Sequence, residues 1–203
     1  VLEEVYCLPA GALPAPAAEV IPLSAELYQL LLHEGRFWPR AEVEDDPRWR
    51  QIIPYAVVER AGEVLLVERL SGGSEARLHN RYSLGIGGHI NRQDAEYQVA
   101  RDLLTAALVR ELREELAIGA FFAETIGLIH SDANPVDRVH TGLLYRVKTL
   151  EATVREQHKL RGAWVGLSEV AALEAQLEGW SQLALRWLGQ VNLPKSPASR
   201  SGR

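Results

Sequence analysis

Residues 110–118 read RELREELAI, and residues 85–90, a short way ahead in the chain, read GIGGHI. Placed on a helix at 100° per residue with Glu111 at 0°, Glu115 lies at about +40° and Glu114 at about −60°. Three carboxylates therefore occupy one arc of about 100°. Leu108, Leu112, Leu116 and Val109 fall beside that arc, at about 60° to 160°, so the helix packs by its leucines and presents its acids along the edge of the core. Like charges three and four residues apart repel by a few tenths of a kcal/mol when exposed, and by more when desolvated. A cation at that edge reverses the sign, and hard divalent ions take carboxylate oxygens, Mg²⁺ in particular through a few carboxylates plus substrate phosphates. From RELREEL alone, a solvated face balanced by Arg110 and Arg113 is the better account of the acids. The glycines tip the reading toward a site, because they let backbone approach a ligand closely and lend carbonyls to a metal shell.

Working outward, Asp94 to Leu116 contains no Pro or Gly and reads as one long helix. Before the glycines, IIPYAVVE and EVLLVERL are two apolar runs joined by Arg60, Ala61 and Gly62, a hairpin signal. After Gly119 strands are expected near 124–131, 140–148 and 163–167, then a helix capped by Ser168 and a final helix over about 181–191. Residues 1–50 form an N-terminal extension: a strand near 2–8, a Pro/Ala connector, a helix from Ser24 to His33 stopped by Gly35, and an acidic turn flanked by Phe37, Trp38 and Trp49. Residues 51–193 form the main domain and 194–203 a polar tail.

Composition narrows the function classes. The 203 residues carry 22 Lys plus Arg against 27 Asp plus Glu, a net charge of −5. Removing the tail's Lys195, Arg200 and Arg203 takes the remainder from −5 to −8. A broad basic surface for nucleic acid is excluded, since neutralising phosphates needs clustered cations. The lone Cys7 makes neither an internal disulfide nor a Cys-rich zinc site. No apolar run reaches the roughly 20 residues of a membrane span, and the first residues lack the basic and apolar regions of a signal peptide. The expectation is a cytoplasmic protein with no membrane partner.

Taken together, the glycine cluster and the acidic helix resemble the Nudix hydrolase family, whose box is written Gx5Ex7REUxEExGU with U aliphatic. RELREELAI matches REUxEExGU at each fixed position except that Ala117 stands for the glycine. Gly88 and Asp94 match Gx5E with Asp for Glu, but 15 residues separate Asp94 from Arg110 where the family has seven. Counted back from Arg110, seven residues lead to Asp102, so either aspartate fits the first acidic position. An insertion of helical character would lengthen the helix at its start without greatly turning its acidic face. The resemblance runs from about Ile52 to Leu173 and is similar to a branch of MutT-like predicted phosphoesterases. It implies an α/β fold, a Nudix-type α/β/α sandwich with a mixed sheet, here carrying an N-terminal extension.

The resemblance also implies roles. Glu111 and Glu115 are the principal ligands of Mg²⁺, with Mn²⁺ able to substitute, and Glu114 and the Gly87 carbonyl complete the site. Glu114 and Glu115 act in catalysis, with a base from a later loop: Glu156, or failing that Glu151. Arg110 anchors the helix to the loop, with Gly88 and Asp94 the other structural positions of the box. Arg69, Arg77 and Arg81 are placed to meet substrate phosphates, and His89, beside the glycines, is a further substrate-binding candidate. His140 opens a strand. The implied activity is divalent-metal-dependent hydrolysis of the diphosphate linkage in a nucleoside diphosphate linked to another group, or in a related nucleotide. Two alternatives share the fold: an isopentenyl diphosphate isomerase-like enzyme, which needs a catalytic cysteine, and a non-catalytic nucleotide-binding domain. The partner is a small phosphorylated molecule, and the extension is as able to serve a homodimer as to pack on its own domain.

Overall fold

The computed structural model describes residues 3–17, 19–69, 81–96, 101–155 and 160–192. At its centre is a strand whose sequence, QIIPYAVVE, lacks polar alternation and so requires cover on both faces. This is β3 (Trp49–Arg60), preceded by β1 (Glu4–Pro9), α1 (Ala25–His33), β2 (Arg36–Pro39) and α2 (Arg40–Val43). One edge of β3 pairs in parallel with β9 (His140–Thr149), from Gln51 opposite His140 to Glu59 opposite Lys148. Its other edge is shared in turn by three antiparallel strands. β1 takes Trp49 to Gln51, β6 (Gly85–Gly87) takes Tyr55 to Val57, and β4 (Glu63–Arg69) takes Glu59 and Arg60. The sheet extends through β2 on β1, β8 (Phe121–Ile129) on β9, and β5 (Tyr82–Ser83) and β11 (Leu160–Gly166) on β4.

The two faces of β3 belong to two cores. Ile52, Ala56 and Val58 pack with Leu104, Leu108 and Leu112 of α3 (Leu103–Glu115). Tyr55 and Val57 pack with Val170 of α4 (Leu167–Ala172) and with Leu185 and Leu188 of α5 (Gly179–Asn192). The result is the expected α/β/α sandwich with a mixed sheet. The β3–β4 turn has Ala61 at φ 45° and Gly62 at φ 89°, the left-handed pair that a two-residue hairpin needs. The extension's first strands join the same sheet: Trp38 and Trp49 meet at a tilt of 46° with ring centroids 4.7 Å apart and pack with Val5, Cys7 and Val43.

Several boundaries differ from the sequence reading. The long helix expected from Asp94 is two pieces, a 3-10 turn at Arg92–Glu96 and α3, which starts at Leu103. Asp102 accepts from the Thr105 N–H at 2.9 Å, and a capping aspartate outcompetes continuation of the helix through it. The fourth helix starts one residue before Ser168, because Glu169 reaches back to the Gly166 N–H at 3.1 Å. A small sheet of β7 (Leu116–Ile118) and β10 (Ala152–Val154) was not expected, its strands being three residues each. No helix among the described residues is long and apolar enough to cross a membrane.

α5 is tied to the glycine segment by one hydroxyl. Ser181 Oγ accepts from the Leu84 N–H at 2.7 Å, donates to Glu178 at 2.6 Å and lies 2.8 Å from Tyr55 Oη. Ser181 is fully buried, so deleting the hydroxyl strands a buried N–H. Ser181→Ala is expected to lower stability by about 1–3 kcal/mol, seen as a lower urea midpoint at unchanged m-value.

Candidate active site

With its leucines in the core, α3 holds Arg110 against the glycine segment. The guanidinium forms a fork on Asp94, Nε to Oδ1 at 2.7 Å and Nη2 to Oδ2 at 3.0 Å. Nη2 also donates to the His89 carbonyl at 2.8 Å, and Nη1 donates to Glu111 at 2.7 Å and Glu114 at 2.9 Å. Planar, multidentate recognition of this kind is what arginine supplies and lysine does not. Burial works to lower the Arg110 pKa, but Asp94 and Glu111 outweigh it and hold the group firmly charged. Asp94 is itself buried and accepts from the Asn91 N–H at 2.8 Å. The two aspartates are thus separated by structure: Asp94 meets Arg110, whereas Asp102 caps α3 and accepts from Tyr28 Oη at 2.9 Å. Asp94 belongs to the 3-10 turn Arg92–Glu96 and α3 starts after its Asp102 cap, so the expected extension of the helix back to Asp94 is corrected.

Glu111 lies so close to Gly88 that a Cβ there would press on its carboxylate, which would have to move from the position in which Arg110 holds it. At Gly87 a Cβ would run into the Pro54 carbonyl oxygen, a backbone atom that cannot turn aside, so this position requires glycine. Burial pushes the Glu111 carboxyl above its ordinary range, Glu114 and Glu115 push it further, and Arg110 opposes them. Glu114 is exposed and Glu115 half-buried at the end of the helix. The donor set is all hard oxygen and carries an unfavourable like-charge interaction that a divalent ion would relieve, so the chemistry fits such an ion. Among the described residues no three acidic, imidazole or thiol side chains converge tightly enough to enclose one, so water and substrate oxygens would supply the remaining ligands.

The other expected residues are placed unevenly. Glu156 and Arg77 lie outside the described residues, as does the side chain of Arg69, whose backbone ends β4 opposite Leu160. Arg155, next to Glu156, donates from its N–H to the Glu115 carbonyl at 2.8 Å and from Nε to the Arg113 and Leu116 carbonyls, closing the C-terminus of α3. Glu151 packs against Gly119, and Arg81 donates to the Leu177 carbonyl at 3.2 Å. His89 and His140 meet, with their Nε2 atoms 3.3 Å apart. Arg40 and Glu44, ion-paired at 2.8 Å, act electrostatically on both imidazoles. Glu44 belongs to the acidic turn noted in the extension, whereas Arg40 carries no signal in the sequence beyond its i,i+4 spacing to Glu44.

No family model matches the chain. Protein YmaB of Bacillus subtilis (strain 168) is 40% identical over 154 residues, which cover 72% of this chain and 74% of YmaB. The crystal structure of Tm1382, described as assigned to the Nudix hydrolases, superposes with a TM-score of 0.78 at 27% identity over 93% of this chain and 100% of that one. The Nudix domain of Shewanella oneidensis NrtR, solved with ADP-ribose, gives a TM-score of 0.50 at 16% identity over 70% and 88% of the two chains, a likeness of fold. The Tm1382 match is too extensive to be confined to the residues around the box, and must include much of the extension. The chain belongs to the Nudix hydrolase family and is an enzyme of that family.

Proposed function

We propose that the enzyme hydrolyses the diphosphate linkage of a nucleoside diphosphate joined to another group, or of a related nucleotide, in a reaction dependent on Mg²⁺ or Mn²⁺. The observation that carries this reading is the Arg110 guanidinium holding Asp94, Glu111, Glu114 and the His89 carbonyl at once, which fixes the acidic edge of α3 against the glycines. Nudix hydrolases in general need a divalent metal ion. Such an ion neutralises the diphosphate, orients its oxygens and lowers the pKa of bound water. Glu111 and Glu115, with Glu114 and the Gly87 carbonyl, are the groups that would hold it. Residues 51–193 supply this machinery on our reading, and residues 1–50 flank it through Arg40 and Glu44.

The isomerase alternative lacks its cysteine. Cys7 is fully buried, packed with Val5 and Val43, and burial pushes its thiol up to about 12. A thiol with so high a pKa stays protonated through neutral pH, so native protein is expected to resist iodoacetamide at pH 8 and react once unfolded in urea. Labelling of the folded protein at the rate of the unfolded chain would contradict this.

The function is tested with a panel of sugar nucleotides, dinucleotides, nucleotide alcohols and nucleoside triphosphates, with Mg²⁺ and with Mn²⁺. Phosphorylated products should form only with metal, and Glu115→Gln should cost more than about a hundredfold in kcat with the circular dichroism unchanged. Full activity in excess chelator would refute the proposal. The two aspartates should separate in the same assay. Asp94→Asn frees one side of the Arg110 fork and is expected to lower activity about 10–100-fold. Asp102→Asn keeps a capping side chain and should leave kcat near wild type.

A further inference from the structure

The three acids on the edge of α3 are held from different ends. Glu111 lies inside the helix and Glu114 in its last turn, and the Arg110 guanidinium bonds to both. Glu115 is the last helical residue, and Leu116 after it is already extended, at φ −122° and ψ 141°. The final carbonyls of a helix have no partners within it, and an end left that way frays. Here one residue supplies partners on both sides of Glu115. The Arg155 N–H donates to the Glu115 carbonyl at 2.8 Å, and its Nε donates to the Arg113 carbonyl at 2.8 Å and the Leu116 carbonyl at 2.9 Å. Arg155 arrives there because β10 pairs antiparallel with β7, Val154 opposite Leu116, so the next residue passes the end of the helix.

With the carbonyls of residues 113, 115 and 116 tied to one side chain and its backbone, the Glu115 backbone has little room to turn. A carboxylate at the end of two methylenes magnifies any rotation at its own Cα, whereas a metal site needs its ligand atoms placed to about 0.2 Å. We propose that Arg155 is a positioning residue for the divalent metal ion, acting through Glu115 by fixing the direction in which that carboxylate leaves the helix. This rests on the reading of Glu115 as one of the groups that hold the ion. Two other roles for the same residue give different signs. A cation beside the acids repels a divalent ion, so if the charge of Arg155 were what counted, removing it would tighten metal binding. A cation at a helix C-terminus also stabilises the helix, and a role confined to that leaves metal affinity unmoved.

Titration of the whole chain with Mn²⁺, followed by the electron paramagnetic resonance signal of the free ion, reads the affinity without substrate or turnover. Arg155→Ala is expected to weaken Mn²⁺ binding about tenfold, with the circular dichroism unchanged because the side chain is exposed. Arg155→Lys keeps the charge but offers one ammonium in place of an Nε set between two carbonyls, and its affinity should fall between the two. Equal or tighter binding by Arg155→Ala would overturn the proposal. So would Arg155→Lys binding as the wild type does, since the charge alone would then suffice. Should Arg155→Ala fail to fold, Arg155→Lys decides: weaker Mn²⁺ binding supports the positioning role and wild-type binding removes it. Wild-type protein that binds no Mn²⁺ and hydrolyses no diphosphate refutes the proposed function and this inference with it. Wild-type protein that binds Mn²⁺ no better than Arg155→Ala refutes this inference alone.

Discussion

The buried contact between Arg110 and Asp94 is the constraint on which the rest of the site depends. Their side chains are 11% and 1% exposed, so both charges have left water and each needs the other. Removing one partner of such a pair typically costs about 3–5 kcal/mol, whereas the pair as a whole adds little net stability over an apolar replacement. Its value here is positional. A guanidinium with Asp94 and the His89 carbonyl on one side and Glu111 and Glu114 on the other leaves few ways for helix and loop to sit together. It also keeps a permanent positive charge beside acids that would otherwise destabilise one another, so the acidic edge tolerates the time between ligands.

Much of this architecture was legible in the residue order because it follows from local periodicity. RELREEL carries its own geometry, since 100° per residue sorts leucines from acids without knowledge of the rest of the chain. IIPYAVVE announced a strand, and the Ala61–Gly62 turn followed from the short polar joint after it. The choice between Asp94 and Asp102 was not legible, because counting residues to Arg110 measures contour and not path. The chain leaves Asp94 in a 3-10 turn and enters α3 through a cap, and the aspartate farther away in sequence is the one that reaches the arginine. β7 and β10, at three residues each, are too short to show a period.

The site residues that were hardest to read share one property: their partners come from remote strands. His89 and His140 stand 51 residues apart and meet because β6 and β9 flank opposite edges of β3. Arg40 and Glu44 reach the same place because β1 and β2 prolong the sheet past β6. Neither meeting has any trace in composition or spacing, since both are products of strand order. The residues around Glu156 are a different case, lying outside the described chain, although Arg155 ties their start to the Glu115 end of α3.

The sharing of one edge of β3 by β1, β6 and β4 bears on how the chain can be handled. A shortened protein beginning at residue 51 would lose β1 together with Trp49 and Arg50, leaving Gln51 and the Ile90 carbonyl without their partners Cys7 and Tyr6 and opening a strand edge beside the glycines. It would also remove Tyr6, Leu8, Leu13 and Leu31 from the core they share with Ile52, Leu104 and Leu128, leaving those aliphatic side chains uncovered. An open edge next to exposed aliphatic side chains is a template for another molecule's strand. Self-association of such a fragment would therefore say nothing about the oligomeric habit of the intact enzyme, and solubility, more than catalysis, would set the shortest useful length of the chain.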